Sequence, residues 1–260
     1  GVNLIRNGSF EAGVSGVGLM SLTRTLGLDA AWDDTVAWHG RASLRIPTTN
    51  GQNMLLITRP IVCKTNRIYV ASFRAKSTGT NTGLIRMKSP FTAPSGFTAT
   101  LDSQRSVSVT NDWTLVSITN RVLAYPFAEI NVTAQLTGIG SQTNWIDAFS
   151  LQDYTATNYA AESATELAFQ SGRIANIFFD DEAVTVPIRL HNSTTGSLSG
   201  HISVLGYDWR KREILSEYLP YTLAAAGTNS VSVTIPSGLK GTFTLIAYDS
   251  QNGGEPDEAT

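Results

Sequence analysis

A single cysteine, Cys63, leaves no partner for a disulfide within the chain. Its strand-like neighbours, Pro60 to Val62, suit a small buried hydrophobe better than a nucleophile. Charge is also scarce: Asp, Glu, Lys and Arg make up 15% of 260 residues, against roughly a quarter in ordinary globular chains. The net charge of -2 comes with no cluster of Lys and Arg able to neutralise a phosphate backbone, which argues against nucleic acid as a partner. Apolar runs such as Tyr221 to Ala226 fall far short of the roughly 20 residues that a membrane-spanning helix requires. No H-E-x-x-H, G-x-S-x-G or phosphate-cradling glycine segment occurs, and His39, His191 and His201 are widely spaced. The carboxylates Asp33-Asp34 and Asp180-Asp181-Glu182 are contiguous. Neighbours on a strand face opposite ways and those in a turn are solvated, so neither set forms a pair across a cleft. The chain reads as non-catalytic.

What is abundant is Thr, Ser, Asn and Gly around short alternating or apolar runs. Such runs cover 42–46, 54–58, 68–75, 83–88, 113–119, 129–136 and 144–151, separated by turn clusters such as 77–83 and 137–141. No long amphipathic helix interrupts them. After Leu151 the segment 152–163 is polar and short of large aliphatics, as a linker or edge would be. A second series follows at 167–170, 183–192, 198–209, 213–223, 230–235 and 241–248. The expectation is an all-β chain of two sandwiches, 1–153 and 154–250. The acidic tail 251–260, with Gly and Pro and no apolar face, is expected to be disordered or to lead into a further domain.

The two ends of the first series pose a common problem. In Asn144 to Leu151, simple alternation puts Ile146, Ala148 and Ser150 on one face and Trp145, Asp147, Phe149 and Leu151 on the other. A carboxylate thus shares a face with aromatics, as Glu11 does beside Phe10. A buried acid is costly unless it is paired, hydrogen-bonded to backbone N–H groups or bound to a metal. With the ends side by side, Glu11 and Asp147 could supply hard oxygen ligands to one Ca²⁺.

The segments NLIRNGSFEAG (3–13), WHGRASLRI (38–46), YVASFRAK (69–76), DWTL (112–115) and WIDAFSL (145–151) resemble, in that order, carbohydrate-binding modules of the family 4, 9, 16 and 22 type. The resemblance covers residues 1 to about 153. It implies a galactose-binding-like β-jelly roll with a structural calcium held by Glu11, Asp147 and main-chain oxygens near His39 and Gly40. The strands 184–192 and 239–248 are similar to the immunoglobulin-like sandwiches that accompany such modules in secreted bacterial glycoside hydrolases. That likeness implies a spacer, a catalytic domain elsewhere in the parent chain and an extracellular setting.

Sugars stack an apolar ring face on aromatic side chains, while Asn, Gln and Arg match their hydroxyls. Trp32, in an acidic stretch expected to be an irregular loop, is a candidate platform or a loop anchor. Trp38, Phe91, Phe97, Tyr125 and Phe127 are further candidates, whereas Trp113 and Trp145 read as core. If Tyr69, Ala71 and Phe73 point inward, Ser72, Arg74 and Lys76 point outward. Together with Arg86, Lys88, Asn131, Thr133 and Gln135 they are expected to line a shallow polar cleft or, since no aromatic falls among them, to form a plain solvated sheet face. The segment Tyr207 to Glu213 reads as a hairpin tip. The expected partner is a polysaccharide or oligosaccharide.

Overall fold

Strands that alternate with period two bury one face each, and this chain stacks such faces in pairs. The computed structural model describes residues 3–13, 19–23, 31–48, 53–64, 67–92, 98–121, 129–138, 140–153, 161, 163–170, 184–239, 241–251 and 257–259. They form two compact units, Gly1–Phe10 with Val17–Ala160 and Glu11–Gly16 with Ala161–Thr260. The described residues contain strands and turns and no helix.

The first unit is a sandwich of two antiparallel sheets. One has the order β1 (Leu19–Thr23), β4 (Asn53–Thr58), β10 (Glu129–Gly138), β7 (Asn81–Thr92) and β8 (Thr98–Val109), with β5 (Ile61–Val62) also paired to β10. The other has the order β2 (Ala31–Asp33), β3 (Ser43–Thr48), β11 (Gln142–Asp153), β6 (Ile68–Ser77) and β9 (Thr114–Arg121). The chain changes sheet from β1 to β2, β3 to β4, β5 to β6, β6 to β7, β8 to β9, β9 to β10 and β10 to β11, which is the crossing pattern of a jelly roll. Phe10, Leu44, Ile46, Leu56, Phe73, Ile85, Met87, Ile130, Leu136 and Phe149 fill the space between the sheets at 1% exposure or less. Each contributes on the order of 2–3 kcal/mol by leaving water.

β6 follows the expected alternation, with Tyr69, Ala71, Phe73 and Ala75 buried and Ser72, Arg74 and Lys76 turned the other way. β11 does not. Asp147 stands opposite Arg74 but Ser150 stands opposite Ser72, so β11 carries one extra residue, with Ala148 at a φ of 51°. A bulge of this kind shifts side-chain parity by one. Ile146, Phe149 and Leu151 therefore all enter the core, and Phe149 meets Phe73 edge to face at 6.4 Å. Trp145 and Asp147 stay on the opposite face, which corrects the uninterrupted alternation expected for 144–151.

The N-terminal segment closes against this irregular strand. Gly8 C=O accepts from Phe149 N–H at 2.7 Å, and Leu4 N–H donates to Leu151 C=O at 2.8 Å. The Asn3 side chain accepts from Leu151 N–H and Ile5 N–H and donates to Phe149 C=O.

The second unit pairs β12 (Thr165–Phe169), β13 (Thr185–Asn192) and β16 (Thr228–Thr234) in one sheet. Its other sheet runs β15 (Glu213–Leu223), β14 (Leu198–Asp208), β17 (Phe243–Asp249) and β18 (Asp257–Ala259). Ile188, Leu190, Ile202, Val204, Val233 and Ala247 form its solvent-free centre. Part of the tail expected to be disordered is thus strand β18, with Asp257 opposite Ala247 and Ala259 opposite Leu245. Pairing of this kind uses backbone groups only, so a segment without an apolar face can still add to a sheet edge.

At Gly8 a Cβ would run into the Phe149 carbonyl oxygen. Gly8→Ala is therefore expected to cost on the order of 2–3 kcal/mol and to lower the melting transition of the first sandwich by several degrees. Gly196→Ala, where a Cβ would meet nothing within 4 Å, is expected to leave thermal unfolding unchanged.

Candidate functional site

Asp147 is completely buried, and its neighbours decide what it does. One carboxylate oxygen accepts from the backbone N–H of Trp38 at 2.6 Å and of His39 at 2.8 Å. The other accepts from Ala148 N–H at 2.6 Å. Gly40, at a φ of 67°, lets the chain turn back immediately after these donors. The turn therefore offers Asp147 amide hydrogens, where a calcium site would need carbonyl oxygens.

Glu11 belongs to the other compact unit. It is buried there with a carboxylate oxygen 3.9 Å from His191 Nδ1, which in turn lies 3.4 Å from Thr228 Oγ1. Among the described residues no three His, Cys, Asp or Glu side chains gather as a metal site. The calcium expected on Glu11, Asp147, His39 and Gly40 is accordingly withdrawn. Ca²⁺ takes about 6 to 8 oxygen ligands, and the N–H donors around Asp147 present the wrong polarity to it. The charge of Asp147 is met by backbone dipoles.

The same turn carries Trp38 onto the outer face of the sheet containing β11 and β6. Trp38 is 49% exposed, and the Arg74 guanidinium carbon lies 4.2 Å from its ring centroid. On that face Trp145 stands in register between Arg45 of β3 and Lys76 of β6, while Arg74 has Leu115 of β9 opposite it. Leu115 is 45% exposed. Trp145 donates its indole N–H to Asp33 at 2.9 Å, and Arg45 approaches the same carboxylate oxygen at 3.8 Å. The second Asp33 oxygen accepts from the N–H and hydroxyl of Thr35. Burial alone would push the Asp33 carboxyl up; the bonds from Thr35 and Trp145 and the charge of Arg45 outweigh it and hold the group below its ordinary value. The result is a fixed surface with two indoles, three cationic side chains and an aliphatic edge. It can stack a flat apolar ring face and donate hydrogen bonds around it.

Other residues nominated from sequence are distributed differently. Trp32 is in strand β2 rather than an irregular loop, in register with the buried Leu44, so it lies on the core-facing side. Its indole N–H is given to Phe10 C=O at 2.8 Å, which makes it an anchor. Arg86, Lys88, Asn131, Thr133 and Gln135 lie on β7 and β10, in the sheet opposite to that of Arg74. Outward-facing residues of two stacked sheets point away from each other, so Arg74 cannot share a cleft with Arg86 or Gln135. Asn131 is 9% exposed and its amide donates to Thr58 C=O at 2.8 Å; Gln135 donates to Thr137 Oγ1 at 3.0 Å. Arg86 stands between Thr133 and Gln104 on that second face. The backbone of Phe91 is in β7 opposite Ala99, but its side chain lies outside the description, as do Phe97, Tyr125, Phe127 and the acidic run 180–182. Cys63 is buried, and desolvation pushes its thiol up to about 12, which keeps it protonated and unreactive.

Trp113 and Trp145 both read as core in the sequence, yet each is half-buried and outside the core cluster, and Trp145 is the one the structure brings to the face. The signal that could have found it is the sharing of one parity by Trp145 and the charged Asp147. A residue two positions from an acid stands on the acid's side of the strand.

No protein-family model and no curated protein matches the chain. Several solved structures are similar. A family 16 carbohydrate-binding module is 16% identical with a TM-score of 0.42, over 57% of this chain and 99% of that one. A family 61 module, TmCBM61, solved in complex with β-1,4-galactotriose, is 14% identical with a TM-score of 0.40, over 59% of this chain and 99% of that one. The tandem CBM22-1-CBM22-2 domains of Paenibacillus barcinonensis Xyn10C are 13% identical with a TM-score of 0.43, over 96% of this chain and 90% of that one. With identities this low and superpositions this loose, the matches assign no ligand to this chain.

Asp147→Asn would turn an amide N–H₂ or a single carbonyl toward three buried donors. It is expected to cost about 2–3 kcal/mol in chemical denaturation. Melting curves of the unmodified chain with excess chelator and with added Ca²⁺ are expected to coincide.

Proposed function

We propose that the first sandwich is a non-catalytic carbohydrate-binding module and that the second is an immunoglobulin-like spacer. Together they would hold a larger, secreted polysaccharide-degrading enzyme on its glycan. The observation that carries the proposal is the exposed indole of Trp38, stacked with Arg74 on the sheet face that also holds Trp145.

An indole left half in water forfeits burial energy, and a stack with a guanidinium holds it rigid, so little side-chain entropy remains to be lost when a ring settles on it. Arg45 and Lys76 flank Trp145 and offer donors to hydroxyls at the edge of a bound chain. Among the described residues of this face, Asp33 is committed to Trp145, Thr35 and Arg45. Recognition without turnover fits that arrangement. Weak binding becomes useful when tethered, because it raises the local concentration of an attached active site near its substrate. The link to a parent polysaccharide-degrading enzyme and to secretion rests on the ordered resemblance of the five segments.

Affinity electrophoresis of the whole chain through gels containing neutral polysaccharides tests the proposal. Retardation by at least one polymer is expected, with Trp38→Ala weakening it about tenfold, near 1.4 kcal/mol, and Arg86→Ala leaving it intact. The reverse pattern would move the site to the opposite sheet. No retardation across the panel would leave both sandwiches with a packing role only.

A further inference from the structure

A second exposed tryptophan lies far along the chain, in the turn between β14 and β15. Trp209 is 65% exposed, the largest aromatic side chain type left open in the second unit. The Arg210 guanidinium carbon lies 4.4 Å from its ring centroid. Lys211 and Arg212 follow directly, and all three cationic residues are exposed.

The turn is built to hold this shape. Asp208, 8% exposed, accepts from the backbone N–H of Arg210 at 2.8 Å and of Arg212 at 2.9 Å. Its other oxygen takes both Nε and Nη2 of Arg212 at 2.7 Å. Asp208 N–H donates to Arg212 C=O, and Lys211 N–H returns to Asp208 C=O with Lys211 at a φ of 61°. The backbone bond from Arg212 is the main cause that holds the Asp208 carboxyl below its ordinary range, so it stays a charged anchor near neutrality. Arg212 is spent on Asp208. Arg210 and Lys211 have no acidic partner in the turn itself, although Glu213 begins the next strand.

We propose that this tip is a contact site for an acidic glycan, a polymer of uronate residues, separate from the sheet face of the first sandwich. One uronate residue matches both parts of the tip. Its ring has a C–H face that stacks on the Trp209 indole, and its ring-borne carboxylate is a fork-shaped acceptor for the Arg210 guanidinium, with Lys211 adding charge. A neutral sugar would use the indole and leave both cations uncompensated. An anionic membrane is recognised by clusters of roughly 4–8 Lys and Arg, more than the tip holds. The chain as a whole is net negative, so attraction to a polyanion has to be local.

The test is native affinity electrophoresis of the whole chain in polygalacturonate gels, with poly-glutamate gels and anionic phospholipid vesicles as comparisons. Retardation by polygalacturonate that weakens with added salt is expected, falling about tenfold in Trp209→Ala and in the double variant Arg210→Ala with Lys211→Ala. Asp208→Asn, which loosens the turn without removing its contact groups, is expected to show an intermediate loss, and circular dichroism should report the same fold for all three. Trp38→Ala should leave this retardation unchanged, which separates it from binding at the first sandwich. Equal retention by poly-glutamate, binding to the vesicles, insensitivity to Trp209→Ala, or loss in Trp38→Ala would each overturn the proposal.

Discussion

The first sandwich depends on one buried charge. Asp147 has no exposure, and an acid in that position costs several kcal/mol unless its oxygens are met. Three backbone N–H groups meet them, two from the Trp38-His39 turn and one from Ala148. That single carboxylate fastens the turn over the sheet and coincides with the extra residue of β11. The bulge sends Phe149 and Leu151 inward beside Ile146, and the fastened turn leaves Trp38 beside Arg74 on the outside. Core and surface are thus arranged by the same interaction.

The N-terminal segment answers to the same strand. Beyond Ile146, where the register of β11 with β3 ends, Gly8, Leu4 and Asn3 supply hydrogen bonds to Phe149 and Leu151. Buried backbone groups have to be satisfied, which explains why this end of the chain is ordered. It also explains the aromatic in NLIRNGSFEAG: Phe10 is fully buried, and its carbonyl takes the Trp32 indole. Glu11, one residue further on, passes to the other unit and meets His191 there. Two acids that look equivalent in the sequence thus meet different partners, a set of amides in one case and an imidazole in the other.

Tryptophan is distributed by how each indole N–H is used and how much ring remains open. Trp32 and Trp145 both spend the N–H, on Phe10 and Asp33, and are half-buried. Trp38 and Trp209 are largely open and each stacks with the guanidinium of an arginine. A stacked cation keeps a large exposed ring in place at small cost, which would suit both to serve as preorganised contact surfaces. Their electrostatic settings differ: Trp38 sits on a sheet face where Asp33 and Arg45 are paired, Trp209 on a tip where Arg210 and Lys211 add cationic charge.

From the sequence alone, alternation and turn composition determined that the chain is all-β with two strand series, and they determined which residues of β6 face inward. These are local properties: period two and the chemistry of Gly, Asn and Thr act over a few residues. Tertiary structure decided the rest. No glycine or asparagine marks the bulge at Ala148, so the inward turn of Phe149 and Leu151 became visible only through register with β6. Sheet order alone separates Arg74 from Arg86 and Gln135, because sequence cannot say which strands share a sheet. The tail strand β18 likewise exists through its partner β17, since it has no apolar pattern to announce it. Even the role of Asp147 depended on which atoms a distant turn pointed at it, a matter of three-dimensional position that residue type does not encode.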